Sequence, residues 1–150
     1  LLNPHYILRK MVSQDINEIM AIEQNAFSMP WSRESYLAEM KNHFAHYVVC
    51  DIGGKIAGYG GIWIVFEEAH ITNVAVGTEF RRQGLGTAIM LELEKLAREK
   101  KAARILLEVR PSNEPALRTY RKLNYLPNNV RTEYYTDNGE DALIMIKLLF

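Results

Sequence analysis

The stretch from His70 to Val109 limits most strongly what this chain can fold into. It begins with a β-rich segment, HITNVAV (His70 to Val76), and passes through the string RRQGLG (Arg81 to Gly86). A helix-periodic segment follows, and the stretch ends in RILLEV (Arg104 to Val109). Leu85, Ile89, Leu93 and Leu96 fall on one helical face, so Thr87 to Lys100 is predicted as an amphipathic helix. RILLEV is almost wholly apolar, the pattern of a strand covered on both faces. Strand, turn, helix and strand make a βαβ unit.

The flanks read differently. Ala45 to Asp51 and Lys55 to Phe66 are two β-rich runs joined at Gly53-Gly54, a hairpin signal. Upstream, Tyr6 to Val12 is a short strand. Ser13 can cap a helix carrying Ile16, Ile19 and Met20 on one face, with Asp15 in its first turn. Pro30 and Ser32 restart the chain into a helix from Arg33 to Lys41. Downstream, Asn113 can cap a helix from Glu114 to Leu123. Two closing strands, Tyr125 to Tyr135 and Ala142 to Leu148, flank the turn-rich TDNGED. A βαβ unit among hairpins predicts an α/β (α+β) fold with one mixed sheet, in the order β-α-α-β-β-β-α-β-α-β-β. At 150 residues without repeats or a linker, the expectation is one domain over residues 1–150.

Eighteen basic and eighteen acidic side chains cancel, so no global field draws the chain to nucleic acid or an anionic membrane. Cys50 is the only cysteine and sits in the apolar run YVVC, which points to a buried structural thiol. No run approaches the roughly 18–20 apolar residues of a membrane span, and LLNPHYILRK lacks the pattern of a secretion signal. Cytoplasm is the expected compartment. His5, His43, His46 and His70 are scattered without metal-ligand spacing, so no metal is expected.

RRQGLG follows a strand and opens a helix. Unpaired backbone N–H groups at such a start suit a phosphate, and Gly84 and Gly86 allow close backbone approach. Arg81 and Arg82 add charge at the rim. The string alone fits a structural turn as well as an anion site. It is not a P-loop, since no lysine follows Gly86, and it is not a G-x-G-x-x-G dinucleotide fingerprint.

With the preceding NVAV, RRQGLG resembles the cofactor signature Q/R-x-x-G-x-G/A of the GNAT acetyltransferase superfamily, Arg81, Gly84 and Gly86 filling its three defining positions. IEQNAFSMPWS, LEVRPSN-x2-A-x3-Y-x4-Y and R-x2-YY-x4-EDALIM narrow the likeness to the RimI type, over nearly the whole chain. That type acetylates the N-terminal alanine of a small-subunit ribosomal protein. The resemblance implies acetyl-CoA as cosubstrate and a protein N-terminus as partner, in a monomer or weak dimer. It places Val74, Ala75, Val76, Arg81, Arg82, Gln83, Gly84, Leu85, Gly86, Thr87, Asn113 and Tyr120 at the cofactor, chiefly through backbone contacts.

Acetyl transfer needs a neutral amine, a polarised thioester, a base and a protonated leaving thiolate. Glu108 interrupts an apolar strand and is either a proton acceptor, the role the LEVR motif implies, or a salt-bridge partner of Arg110 or Arg131. The resemblance makes Tyr120 the acid for the departing sulfur; otherwise it is a packed phenol. Asn113 is a helix cap and, by resemblance, a pantetheine contact. The Val74 N–H can polarise the thioester oxygen. No nucleophile for a covalent acetyl-enzyme stands out, which favours direct attack by the amine. An α-amine is neutral at pH 7 about 400 times more often than a lysine, so one modest carboxylate suits an N-terminus. Phe27 to Trp31 (FSMPW), with Tyr134 and Tyr135, can line the peptide groove; otherwise Trp31 and one tyrosine pack in the core. Glu23 either positions the ammonium or lies on a solvated helix face, and Glu140 and Asp141 can shape the mouth. Two further readings are a small-amine acetyltransferase of the same fold and a non-catalytic acyl-CoA-binding module.

Overall fold

Two adjacent glycines with positive φ, Gly53 (58°) and Gly54 (91°), turn the chain sharply between a strand of eight residues and one of eleven. This hairpin seeds a seven-stranded sheet. The structure is a computed structural model, and it describes residues 5–150. The strands are β1 (Ile7–Lys10), β2 (Ala45–Ile52), β3 (Lys55–Val65), β4 (Glu68–Val76), β5 (Arg104–Val109), β6 (Leu126–Arg131) and β7 (Ala142–Leu148). Their spatial order is β1-β2-β3-β4-β5-β7-β6. Every neighbouring pair is antiparallel except β4 and β5, the parallel pair of the βαβ unit. The mixed sheet and element order are those expected from the sequence.

Helices cover both faces. On one lie α1 (Ile16–Ala26) and α2 (Arg33–Met40), where Ile16, Ile19, Tyr36 and Tyr59 form a buried core. On the other lie α3 (Leu85–Glu99) and α4 (Glu114–Lys122). There Leu85, Ile89 and Leu93 pack on Val48, Ile105 and Leu107, each large side chain contributing roughly 2 kcal/mol. Cys50 is fully buried in this core. Among the described residues no helix is long and apolar enough to cross a membrane.

The structure departs from the expected pattern in four places. Helix α3 begins at Leu85, earlier than Thr87, because Gly84 adopts the left-handed conformation (φ 77°) and turns the chain directly into the helix. Ser13 lies in a short 3₁₀ turn, and Asp15 does the capping, accepting from the Val12 N–H at 2.8 Å. Strand β5 is not covered on both faces: Ile105, Leu107 and Val109 are buried while Leu106 and Glu108 are only half-buried. The run from Tyr125 to Tyr135 yields a shorter strand, because Tyr125 drops into the core and the chain leaves the sheet after Arg131.

The feature that positions the site is a break in the sheet. Pairing of β4 with β5 spans only Glu68↔Arg104, Ala69↔Ile105 and His70↔Leu106. Just beyond it the β3–β4 register shifts: Ile62 faces Ile71 and Gly61 faces Asn73, leaving Thr72 as a bulge. Bulges bend the strand that carries them. The bulge therefore falls where β4 leaves β5.

Candidate active site

A cleft of about 500 Å³ occupies this opening. Ile71 to Val74 form one wall and Leu107 to Arg110 the other. Residues of α4 close one end, and the α1–α2 connection closes the opposite end.

Glu108 enters from β5, on the half-buried face of that strand. Its partner is neither Arg110 nor Arg131, as the salt-bridge alternative supposed, but His70, whose Nε2 lies 2.7 Å from Glu108 Oε2. The cause is register: His70 pairs with Leu106, and Glu108 is two residues further on the same face. Tyr134 donates its hydroxyl to the other carboxylate oxygen at 3.4 Å. Burial, and after it the Glu108 charge, pushes the Tyr134 phenol up, which keeps it a donor.

Tyr120 lines the same cleft from α4, edge-on to Tyr125 with ring centroids 5.9 Å apart. Burial pushes its phenol up to about 12, so it holds its proton at any ordinary pH. Asn113 caps α4 by accepting from the Ala116 N–H at 3.3 Å, and its side of the helix start also lines the cleft.

Glu23 is not on a solvated helix face; it is 1% exposed. One carboxylate oxygen accepts from the Tyr36 hydroxyl, the Tyr59 hydroxyl at 2.6 Å and Asn73 Nδ2 at 3.0 Å. The other accepts from the Trp31 backbone N–H. With both oxygens taken by protein donors, the carboxylate acts on the cleft through the segment it holds. Trp31 is half-buried, packs at 5.3 Å from Tyr36 and still lines the cleft with Phe27.

The connection from 132 to 141, between β6 and β7, closes the mouth. Arg110 stacks over Tyr135 at 3.8 Å and reaches Asp137 at 2.8 Å and Glu140 at 3.3 Å. Glu140 also accepts from the Ser112 N–H and hydroxyl, at 2.9 and 3.0 Å. Asp141 takes no part in the mouth; it accepts from the Glu133 N–H within the connection.

At the far end of β4, RRQGLG presents its backbone to solvent. Arg82 has a positive φ of 63°, and Arg81, Arg82, Gln83 and Gly84 are exposed. A Cβ at Gly84 would meet nothing within 4 Å, and one at Gly86 only Val76 at 3.9 Å. The open approach to the first amides of α3, flanked by two arginines, fits a pyrophosphate. Ala75 and Leu85 bury their side chains in opposite cores, so only their backbones can face a ligand.

The cleft thus gathers Glu23, Phe27, Trp31, Val74, Glu108, Asn113, Tyr120 and Tyr135. Tyr134 touches it through Glu108. Ala75, Val76 and the RRQGLG string, with Thr87, lie outside it along β4 and α3. Sequence reasoning missed His70, Asn73, Arg110 as an organiser and Asp137, whereas Ser28 lay within the expected wall Phe27 to Trp31. His70 carried one faint signal, a polar residue at the start of an apolar strand.

Residues 16–125 match the model of the acetyltransferase (GNAT) family. A Bacillus subtilis protein provisionally named a ribosomal protein bS18-alanine N-acetyltransferase is 46% identical over 139 residues, covering 92% of each chain. The Escherichia coli K12 ribosomal protein bS18-alanine N-acetyltransferase is 31% identical, over 92% of this chain and 94% of that one. The crystal structure of the Escherichia coli ribosomal-protein-S18-alanine N-acetyltransferase superposes with a TM-score of 0.88 at 30% identity, covering 97% of this chain and 94% of that one. By sequence and by fold, this chain belongs to the GNAT family of acetyltransferases.

Proposed function

We propose that this chain acetylates the N-terminal α-amine of a protein from acetyl-CoA, and that its acceptor is the N-terminal alanine of ribosomal protein bS18. The observation that carries the reading is the cleft at the parted strands, lined by a carboxylate (Glu108) and by a protonated phenol (Tyr120). The relatives' names supply the acceptor.

Acetyl-CoA supplies the acetyl group as a thioester. The amides of RRQGLG, with Arg81 and Arg82, hold its pyrophosphate, and Asn113 and the backbone from Val74 to Val76 direct its arm into the cleft. Glu108 accepts the proton that the acceptor amine sheds as it forms the new amide bond. His70, bonded to Oε2, orients the carboxylate and leaves Oε1 toward Tyr134. As the carbon–sulfur bond breaks, Tyr120 gives its proton to the sulfur, and a thiol leaves. Trp31, Phe27 and Tyr135 flank the acceptor and exclude water.

Free-thiol release tests the reading. Peptides beginning with alanine are compared with the same sequence carrying a blocked N-terminus and an internal lysine. Release confined to the free N-terminus is expected. Release confined to the lysine peptide refutes the assignment of the acceptor.

A further inference from the structure

The walls of the cleft form a closed circuit. From the β4–β5 junction at His70↔Leu106, β4 runs to Asn73, which donates to Glu23 at 3.0 Å. Glu23 belongs to α1, and the chain continues from α1 to Ser28. Ser28 donates its hydroxyl to Asp137 Oδ2 at 2.5 Å, and Arg110 donates to that same oxygen at 2.8 Å. Arg110 directly follows β5, which leads back to Leu106. Beside this link, Thr136 meets the Met29 sulfur at 3.4 Å. One carboxylate therefore joins two segments 109 positions apart in sequence, and the circuit has no other link at that point as short.

We propose that Asp137 is a specificity-determining residue. By tying Ser28 to Arg110 it closes the mouth into a ring of fixed width, and this ring restricts the acceptor to a small first side chain. The inference deepens the N-terminal reading and rests on it. A ring passes a narrow extended segment, whereas a groove open on one side lets a wide side chain bulge outward. A chain beginning with alanine passes; one beginning with leucine or tryptophan must break the Ser28–Asp137 bond. The Ser28 hydroxyl, and after it Arg110, hold the Asp137 carboxyl below the usual carboxylate range, so the link is charged and intact at neutral pH. Both Ser28 and Asp137 are exposed, and their replacement leaves the cores untouched.

The test compares kcat/KM on peptides that begin with Ala, Leu or Trp and are otherwise identical. The native enzyme is expected to prefer Ala over Trp by about 100-fold. In Asp137→Ala and in Ser28→Ala, the absolute kcat/KM on the Leu and Trp peptides rises, narrowing the gap by about 10-fold. Ser28→Thr keeps a hydroxyl and keeps the preference. KM for acetyl-CoA stays within about 2-fold throughout, because the ring lies on the acceptor side. Preferences unchanged in both alanine variants overturn the proposal. So do rates that fall in proportion on all three peptides, the mark of a merely structural contact. A native enzyme that acetylates the Ala peptide but takes Trp equally well overturns the ring alone. One that ignores all three peptides while acetylating the blocked lysine peptide overturns the N-terminal reading with it.

Discussion

Replacing Glu23 tests whether a buried carboxylate holds the acceptor wall in place. Its two oxygens receive four donors, from Tyr36, Tyr59, Asn73 and the Trp31 backbone, and it is 1% exposed. Burial foremost pushes both phenols up, with the Glu23 charge contributing, so both remain donors. In Glu23→Gln one oxygen becomes an NH₂ group. Turned toward Trp31 it opposes an N–H; turned the other way it opposes the amide of Asn73 and the two hydroxyls. Either way at least one buried donor loses its acceptor, which costs about 2 kcal/mol. For a chain of this length that lowers Tm by roughly 4–8 °C. Glu23→Ala strips all four donors and leaves a void, for about 4 kcal/mol. Because the Trp31 N–H is one of the four, acceptor KM rises in both variants while KM for acetyl-CoA does not. Thermal unfolding and peptide kinetics read the two effects on the same protein. A Glu23→Gln enzyme with Tm within about 1 °C of the native protein and an unchanged acceptor KM refutes the reasoning.

Three further outcomes are expected. Glu108→Gln lowers kcat by about 10²- to 10⁴-fold, with far unfolding unchanged, and His70→Ala lowers it less; stopped-assay kinetics beside a urea curve separate the two. The rate rises with pH through the acceptor amine's pKa of about 7.8. Since burial holds Tyr120 at about 12, no alkaline decline from that phenol sets in at pH 10, where an ordinary tyrosine ionises; a Tyr120-dependent limb near pH 10 contradicts its place in the site. Two glycines separate fold from function. A Cβ at Gly60 meets Ile89 Cγ2 at 2.6 Å and Leu93 Cδ1 at 3.0 Å, so Gly60→Ala destabilises by about 1–3 kcal/mol. At Gly86 there is room, so Gly86→Ala keeps Tm and raises KM for acetyl-CoA by about 10-fold, as calorimetry and kinetics can check.

What the sequence showed depended on how local each cause was. The Gly53-Gly54 turn, the face of α3 and the Asn113 cap are fixed by residues within a few positions of one another, and each stands where expected. Glu108 was legible because a carboxylate within RILLEV must have a use or a partner. The identity of the partner was not legible. His70 and Glu108 are 38 positions apart, and only the parallel register of β4 on β5 brings them to 2.7 Å. Glu23 read as either an ammonium contact or a solvated helix residue, because one helical turn of IEQNAF says nothing of Tyr59 and Asn73, which come from 36 and 50 positions away. Asp137 sat inside TDNGED, where turn chemistry explains an aspartate fully. Its contact with Ser28 belongs to the meeting of opposite ends of the chain.

The parted strands connect these observations. A parallel pair in the middle of a sheet normally satisfies every backbone group between its members. Here the ladder stops after three residue pairs, and a bulge at Thr72 turns β4 aside. Beyond that point β4 is bonded only to β3, and β5 only to β7. Two strand edges therefore face one another across the cleft with amide and carbonyl groups unused by the sheet. Such edges are matched by an extended ligand that itself carries amides, because it can complete each ladder without demanding any particular side chain. In the proposed reaction, the same opening lets an amine approaching from the α1 face and a thioester arriving along β4 meet beside Glu108. A continuous ladder would satisfy the backbone better and leave no passage. The bulge sacrifices sheet hydrogen bonds at the one place where the proposed chemistry needs the two faces of the sheet to communicate.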